Sequence, residues 1–482
     1  MTLSFYEFQL VCLIALCLFF MLVERQLSPK RKEGVRLHDG LHAPTPALHK
    51  LSRQYLSAYA IVMGMSPSHT TGADWLQGPY IYSLYKEQYA FPERYVALLF
   101  VTGFMTAGLA APMVGELTTP ICSGRRKLCL AFCITYTLTC VLIQLPYFPI
   151  LILGRFLGGF STSILFSVFE SWLISASNSL ALPAADLSTI MGRASLVNGF
   201  VAATAGVASN QLVSSTGSFA SPFVASGVLL VLAWVVIRGS WTENYGSGGG
   251  TSASADPLQL RRLGQALQIV RNEPSLLVIG LTQTCFEGSM YLFVFNWVPA
   301  LQEAARPGAL LPLGYIFSAF MVSMMIGSLL YTSLVSLFAR AEDAPLDAGG
   351  PASDAPLTLH AKLSSLVCAV SAVAFAVSVE SGSEYVRFWA FCTFEACVGM
   401  YYPIQGMLRG SLISNEHRAT LSSLFRVPLN IFVVVSLLTG VSSARYTVLT
   451  TSSLMLVLSS LMTAAFLVER IEFSAPSVPH PA

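Results

Sequence analysis

The stretch "TTGADWLQGPYIYSLYK", residues 70–86, decides how this chain is read. It places a carboxylate, a Gly-Pro pair and a run of tyrosines inside an otherwise apolar segment, residues 54–85. A side chain ionised near the centre of a bilayer costs about 2.5–3.5 kcal/mol on insertion scales, so it is kept where it is paired or faces water. Asp74 therefore asks for a counterpart. It has one in "FEGSMYLFVFNWVP", where Glu287 precedes Phe293 and Phe295 at the spacing that separates Asp74 from Tyr80 and Tyr82.

Two further echoes follow. Arg193 in "GRASLVN" and Arg426 in "FRVPLN" each precede an asparagine, Asn198 and Asn430. Glu170 in "FES" and Glu395 in "FEA" lie in corresponding apolar segments, though at different depths. Three matched pairs argue for an internal duplication of the kind that builds secondary transporters.

The surroundings of these charges are those of a membrane protein. Of 482 residues, 54% are hydrophobic and 11% charged, against about 25% charged in soluble domains. A net charge of +2 gives no basis for nucleic-acid binding. The ten cysteines form no CxxC pairs with partner histidines. Most, such as Cys129, Cys133, Cys140, Cys285, Cys392 and Cys397, sit in apolar runs and read as small buried hydrophobes. No HExxH, phosphate-binding loop, nucleophile elbow or metal-ligand cluster occurs, so neither an enzyme nor a metal or cofactor site is expected.

A spanning helix needs about 20 mostly apolar residues. Thirteen segments qualify: 6–24, 54–85, 95–116, 127–145, 148–175, 190–212, 219–238, 275–301, 313–338, 360–379, 386–408, 420–440 and 446–468. The first lacks a basic leading region and is followed by positive charge, which argues for a retained helix over a cleaved signal peptide. Alternate loops are basic: Arg25, Lys30, Arg31, Lys32, Arg36, Lys50 and Arg53; then Arg125, Arg126 and Lys127; then Arg261, Arg262 and Arg271; then Arg409 and Arg418. "LPYFP" at 145–149 and "SSTGS" at 214–218 carry no basic residue. The bias places the basic loops and the C-terminus in the cytoplasm and the N-terminus outside.

The expected organisation is an all-α integral membrane protein. Residues 1–51 form an extra helix and basic loop, 52–240 a first six-helix half, 241–271 a linker, 272–470 a second half and 471–482 a tail. The linker contains "GSGGGTSASADP", and the polar stretch 340–359 is a second break in the hydrophobic rhythm.

The stretches "GADWLQGPYIYSLY", "GRFLGGFSTSILFSVFESW", "WTENY", "FEGSMYLFVFNWVP", "FEACVGMYYP" and "FRVPLN" resemble the molybdate-anion transporter family of the major facilitator superfamily. The resemblance runs over about residues 52–470 and extends to the additional first helix. It implies a facilitator fold opened alternately to either side, and molybdate as cargo. One loop departs from the facilitator pattern: "GELTTPICSGRRK" keeps Gly115, Gly124, Arg125 and Arg126 but lacks the usual aspartate, for which Glu116 is a candidate substitute at a different spacing.

The candidate substrate-binding residues are Asp74, Tyr80, Arg155, Arg193, Glu287 and Arg426. The guanidinium of Arg155 suits a tetrahedral oxyanion; the alternative is a pair with Asp74 or Glu287 that only locks helices together. Arg193 and Arg426 lie nearer the cytoplasmic face, where snorkelling or an inner-gate ion pair competes with anion contact. Asp74, Glu170, Glu287 and Glu395 are candidates for proton coupling or ion pairing. Gly158, Gly159, Gly399 and Gly406 are read as packing residues. Tyr80, Tyr82, Tyr85 and Tyr89 read as interfacial aromatics, with hydrogen bonding to cargo as the alternative for Tyr80 and Tyr82, which lie nearest the cavity depth, and His69 reads as a packing residue. The expectation is a monomeric anion transporter of the plasma membrane. The rivals are another cargo on the same scaffold, such as sulfate, a sugar or an organic solute, and a non-transporting receptor.

Overall fold

The computed structural model describes residues 4–27, 46–64, 73–117, 124–245, 267–271, 273–306, 308–342, 355–413, 418–439 and 445–468. Lys30, Arg31, Lys32, Arg36, His69, Arg261, Arg262, most of the linker and the C-terminal tail lie outside the described residues. All regular elements among the described residues are helical, as a bilayer requires: backbone groups with no water to bind must be satisfied within their own segment.

The long helices are α1 (Phe5–Leu27), α2 (Pro46–Tyr59), α3 (Glu93–Leu117), α4 (Arg125–Leu142), α5 (Phe148–Ser179), α6 (Ala184–Thr216) and α7 (Ser221–Ser240). They continue with α8 (Pro274–Ala304), α9 (Leu313–Glu342), α10 (Ala355–Glu380), α11 (Glu384–Leu412), α12 (Arg418–Thr439) and α13 (Arg445–Met462). Each overlaps one of the thirteen apolar segments. Among the described residues, eight helices are long and apolar enough to cross a membrane. The helices α4 and α11 are not among the eight, and both carry several charges, Arg125, Arg126 and Lys127 in one and Glu384, Arg387, Glu395 and Arg409 in the other.

One segment departs from the expected form. The apolar run 54–85 is not a continuous helix: α2 ends at Tyr59 and passes into a π turn, Ala60–Gly64. Residues 73–80 form successive turns, then one helical turn, Ile81–Ser83, and a second π turn, Leu84–Gln88. Gln77 N donates to Asp74 O at 3.4 Å and Tyr80 N to Gln77 O at 3.3 Å, the three-residue spacing of a tightened backbone. Pro79 has no N–H to continue a ladder. Asp74 thus sits on irregular backbone, which at membrane depth is tolerated where protein or a cavity covers it.

The chain divides into two compact units. The first comprises Met1–Val11, Gly34–Ser252 and Leu310–Val322; the second comprises Cys12–Glu33, Ala253–Ala309 and Ser323–Ala482. In the first, α4 packs against α5 and α7, and α3 against α5. In the second, α10 packs against α11 and α13, and α8 against α11, α12 and α13. The third, fourth and sixth core helices therefore meet in the same way in each unit, and the duplication read from Asp74 and Glu287 extends to packing.

Glycines set the closest approaches. A Cβ on Gly159 of α5 would meet Gly103 O and Thr106 of α3, and one on Gly327 of α9 would fall on Ala396 O of α11. Gly399 stands in the same relation to Met324 O. Such small residues let membrane helices approach backbone to backbone. Gly406 does not share this role, since a Cβ there would enter open space. Aromatic stacking fills the rest. Trp172 lies on Trp241 at 3.8 Å in the first unit, and Phe286 on Tyr401 at 4.0 Å in the second.

Candidate functional site

In the first unit the site is built around Asp74. Its Oδ1 accepts the hydroxyl hydrogen of Tyr136, on α4, at 2.6 Å. Its own N–H donates to Val62 O at 3.3 Å, so the turn that carries it is tied back to the π turn after α2. Neighbouring residues of the turn are held similarly. Ser226 Oγ donates to Ala73 O at 2.6 Å, Trp75 Nε1 to Asn198 Oδ1 at 2.9 Å, and Tyr80 OH to Asn210 Oδ1 at 2.8 Å. Asp74 nevertheless keeps part of its surface accessible. The asparagine noted after Arg193 is thus one of the groups that fix the turn.

Arg155, on α5, donates from Nε to Leu99 O at 3.1 Å, and its guanidinium carbon lies 5.5 Å from the Phe100 ring centre. Gly103 makes room for it: a Cβ there would collide with the guanidinium. The group is within electrostatic reach of Tyr136 and of the buried Tyr85. Arg155 thus donates to a backbone carbonyl and acts on Tyr136, the hydrogen-bond donor to Asp74, through electrostatics. Tyr82 donates to Glu93 Oε1 at 3.2 Å and Tyr89 to Ile143 O at 2.8 Å, so both serve the end of the bundle.

In the second unit Glu287 occupies the matching place on α8. Arg409 Nη2 lies 3.3 Å from its Oε1, and Tyr401 OH donates to the same oxygen at 3.3 Å. Gln283 Nε2, one turn earlier on α8, donates to Oε2 at 3.2 Å. Each unit thus holds the carboxylate of its first core segment with a tyrosine hydroxyl, from α4 in one and α11 in the other.

The remaining candidates lie on α5, α6, α11 and α12. Arg193 on α6 and Glu170 on α5 are exposed, the latter within electrostatic reach of Tyr55 and Tyr59. Arg426 on α12 is exposed and reaches Tyr291, which also senses Glu287. Glu395 is buried on α11, at 6% exposure.

The N-terminus of α4 meets a carboxylate from a distant part of the chain. Gly124 takes φ +82°, a conformation natural to glycine. There Glu243 of "WTENY" accepts from Arg126 N at 2.8 Å and Lys127 N at 3.2 Å. Arg125 N donates to Asn244 O at 3.0 Å and Arg126 Nη2 to Arg238 O at 2.6 Å. Glu243 therefore caps the positive end of α4. Gly115 lies within α3, next to Glu116.

Sequence reasoning missed Tyr136, Tyr401, Arg409 and Glu243. Arg409 sits within α11, not beyond it. A count of polar side chains in apolar helices, including tyrosines away from helix ends, would have marked Tyr136 and Tyr401. Among the described residues there is no group of three or more His, Cys, Asp or Glu placed to hold a metal ion. Each unit offers a hydrogen-bonded carboxylate and a cationic guanidinium, Asp74 and Arg155 in the first and Glu287 and Arg409 in the second, groups suited to binding an anion or handling a proton.

Comparison with known proteins agrees with the fold and the motifs. A major facilitator family model, described as sugar transporters with 12 TM, matches residues 33–344. Curated proteins named Molybdate-anion transporter are similar. That of Takifugu rubripes is 30% identical over 460 residues, covering 89% of this chain and 86% of the relative. That of Xenopus tropicalis is 35% identical over 373 residues, covering 76% and 75%. Among solved structures, the nucleoside transporter NupG superimposes with a TM-score of 0.60 at 10% identity, covering 88% of this chain and 99% of that one. The POT family transporter PepTSo gives 0.63 at 10% identity, covering 90% and 99%. At such identities the structures speak for the fold alone.

Proposed function

The chain belongs to the molybdate-anion transporter family of the major facilitator superfamily and is a multi-pass membrane transporter, and from that premise we propose that its cargo is molybdate. The observation that carries the proposal is the similarity to curated relatives of that name over most of both chains. The charges within the apolar segments are consistent with it. A doubly charged tetrahedral anion needs cationic donors, and Arg155 has guanidinium N–H groups beyond the one bound to Leu99 O.

In this proposal the protein works by alternating access. Arg155 offers charge to the oxyanion, and Tyr80 its hydroxyl in exchange for Asn210. Asp74 and Glu287, each held by a tyrosine, tune that charge or carry a coupled proton. Arg193 and Arg426 shape the cytoplasmic entrance, with Glu170 and Glu395 as further carboxylates along the path. Gly115, Gly124, Arg125 and Arg126 form the gating loop, completed by Glu243. The protein is a monomer in the plasma membrane, with its N-terminus outside and its C-terminus inside.

A second cargo class has one observation in its favour, the sugar-transporter description of the matching family model. Uptake of labelled molybdate into cells expressing the chain, with unlabelled molybdate, sulfate or glucose as competitor, separates the two. The proposal expects molybdate to compete fully and glucose not at all. No carrier-dependent uptake of labelled molybdate, together with carrier-dependent uptake of labelled glucose, would replace the anion cargo with a sugar.

A further inference from the structure

Arg409 has a setting that the basic-loop pattern of the sequence conceals. The helix α11 runs to Leu412, so Tyr401, Gln405 and Arg409 fall at four-residue spacing on one face. Across from them α8 presents Gln283 and Glu287, also four apart. The contact between Glu287 and Arg409 is single and long, Nη2 to Oε1 at 3.3 Å. A committed guanidinium–carboxylate pair is bidentate, at roughly 2.7–2.9 Å.

Three polar atoms of these side chains are buried with no hydrogen-bond partner among the described residues: Arg409 Nε, Gln283 Oε1 and Gln405 Oε1. The two glutamines are 3% and 2% exposed. The side chains of Arg409 and Glu287 keep 22% and 15% of their surface accessible. Meanwhile Glu287 has two other donors that would retain it, Tyr401 OH and Gln283 Nε2. A guanidinium whose side chain keeps accessible surface, and which a carboxylate with other partners holds only loosely, has an exchangeable counter-ion.

We propose that Arg409 is a second anion-binding residue, and that Glu287 is its internal competitor. An incoming tetrahedral oxyanion takes the Arg409 guanidinium through two of its N–H groups, and Glu287 withdraws onto Tyr401 and Gln283. In the empty protein the carboxylate neutralises the arginine; in the loaded protein the cargo does. The inference rests on the anion-cargo proposal and adds to it a residue, a counter-ion and an exchange between them.

The test uses the purified full-length protein in detergent, titrated calorimetrically with sodium molybdate. Glu287→Gln removes the competitor and keeps the hydrogen bonds an amide can make, so it tightens molybdate binding, by about tenfold for one lost charge contact. Arg409→Ala weakens binding by at least about tenfold, and Arg409→Lys falls between. Tighter binding in Glu287→Gln is an outcome that a purely structural ion pair would not produce, and it decides the matter even if Arg409→Ala aggregates. Unchanged or weaker binding in Glu287→Gln, or unchanged binding in a monodisperse Arg409→Ala, overturns the inference while leaving the cargo intact. A wild type that binds no molybdate overturns both.

Discussion

Tyr136 donates its hydroxyl hydrogen bond to Asp74 Oδ1 at 2.6 Å, joining two residues 62 positions apart in the chain. The bond fixes a carboxylate on a turn where regular helix has given way, and it does so from a neighbouring helix whose own backbone is regular. Tyr401 and Glu287 repeat the relationship at 3.3 Å in the second unit.

Removing the hydroxyl separates positioning from charge. Tyr136→Phe keeps the ring and leaves Asp74 without its donor, at a cost of about 1–3 kcal/mol for a polar group stranded in a buried site. The expected result is a folded protein with a lower melting temperature in detergent and about tenfold slower molybdate uptake. Asp74→Asn with Tyr136 intact retains more thermal stability than Tyr136→Phe, because the amide oxygen still accepts the bond.

Close helix contacts predict a stability effect with no change in selectivity. Gly327→Ala puts a methyl group on the Ala396 carbonyl, and overpacking of this kind costs about 1–3 kcal/mol. Thermal unfolding of the purified variant measures it. The relative uptake of molybdate and sulfate stays as in the wild type.

Much of this architecture was legible in the sequence, and the reasons are physical. Apolar runs such as 148–175 and 275–301 became helices because a bilayer leaves the backbone little alternative. The correspondence of Asp74 and Glu287 was visible because intramembrane acids are rare. The break in the 54–85 run was legible in part, since Gly78-Pro79 marks a kink point and "SPSHTTG" at 66–72 is polar, but neither shows that regular helix already stops at Tyr59. The partners were hidden. Tyr136 and Tyr401 look like aromatic filling until a fold sets them against a carboxylate, and Arg409 looks like a loop charge until α11 is seen to run past it. Glu243 lies 117 positions from the Arg126 backbone it caps, a separation no local pattern reveals.

The cap itself is testable. Glu243→Gln keeps a hydrogen-bonding oxygen but removes the charge facing the positive end of α4; Glu243→Ala removes both. The helix should lose about 0.5–2 kcal/mol of local stability in the alanine variant and less in the glutamine variant. Amide hydrogen exchange at Arg126 and Lys127 reads this directly, fastest in the alanine variant and intermediate in the glutamine variant.

Proton coupling has its own readout. If Asp74 or Glu287 carries a proton with the cargo, an inward proton gradient across proteoliposomes accelerates molybdate entry, and Asp74→Asn or Glu287→Gln abolishes the acceleration. Uptake with the same rate in the presence and absence of the gradient would remove the proton from the scheme and leave the anion site unaffected.

Molybdate as the cargo and Arg155 as one of its ligands can be tested together. The direct measurement is molybdenum accumulation, by elemental analysis, in proteoliposomes containing the purified full-length protein, with Arg155→Ala alongside. A molybdate carrier with Arg155 at its site gives saturable accumulation in wild-type liposomes above empty ones, and a rate lowered about tenfold or more in a well-folded Arg155→Ala. Wild-type liposomes that accumulate no more molybdenum than empty ones would contradict the molybdate cargo.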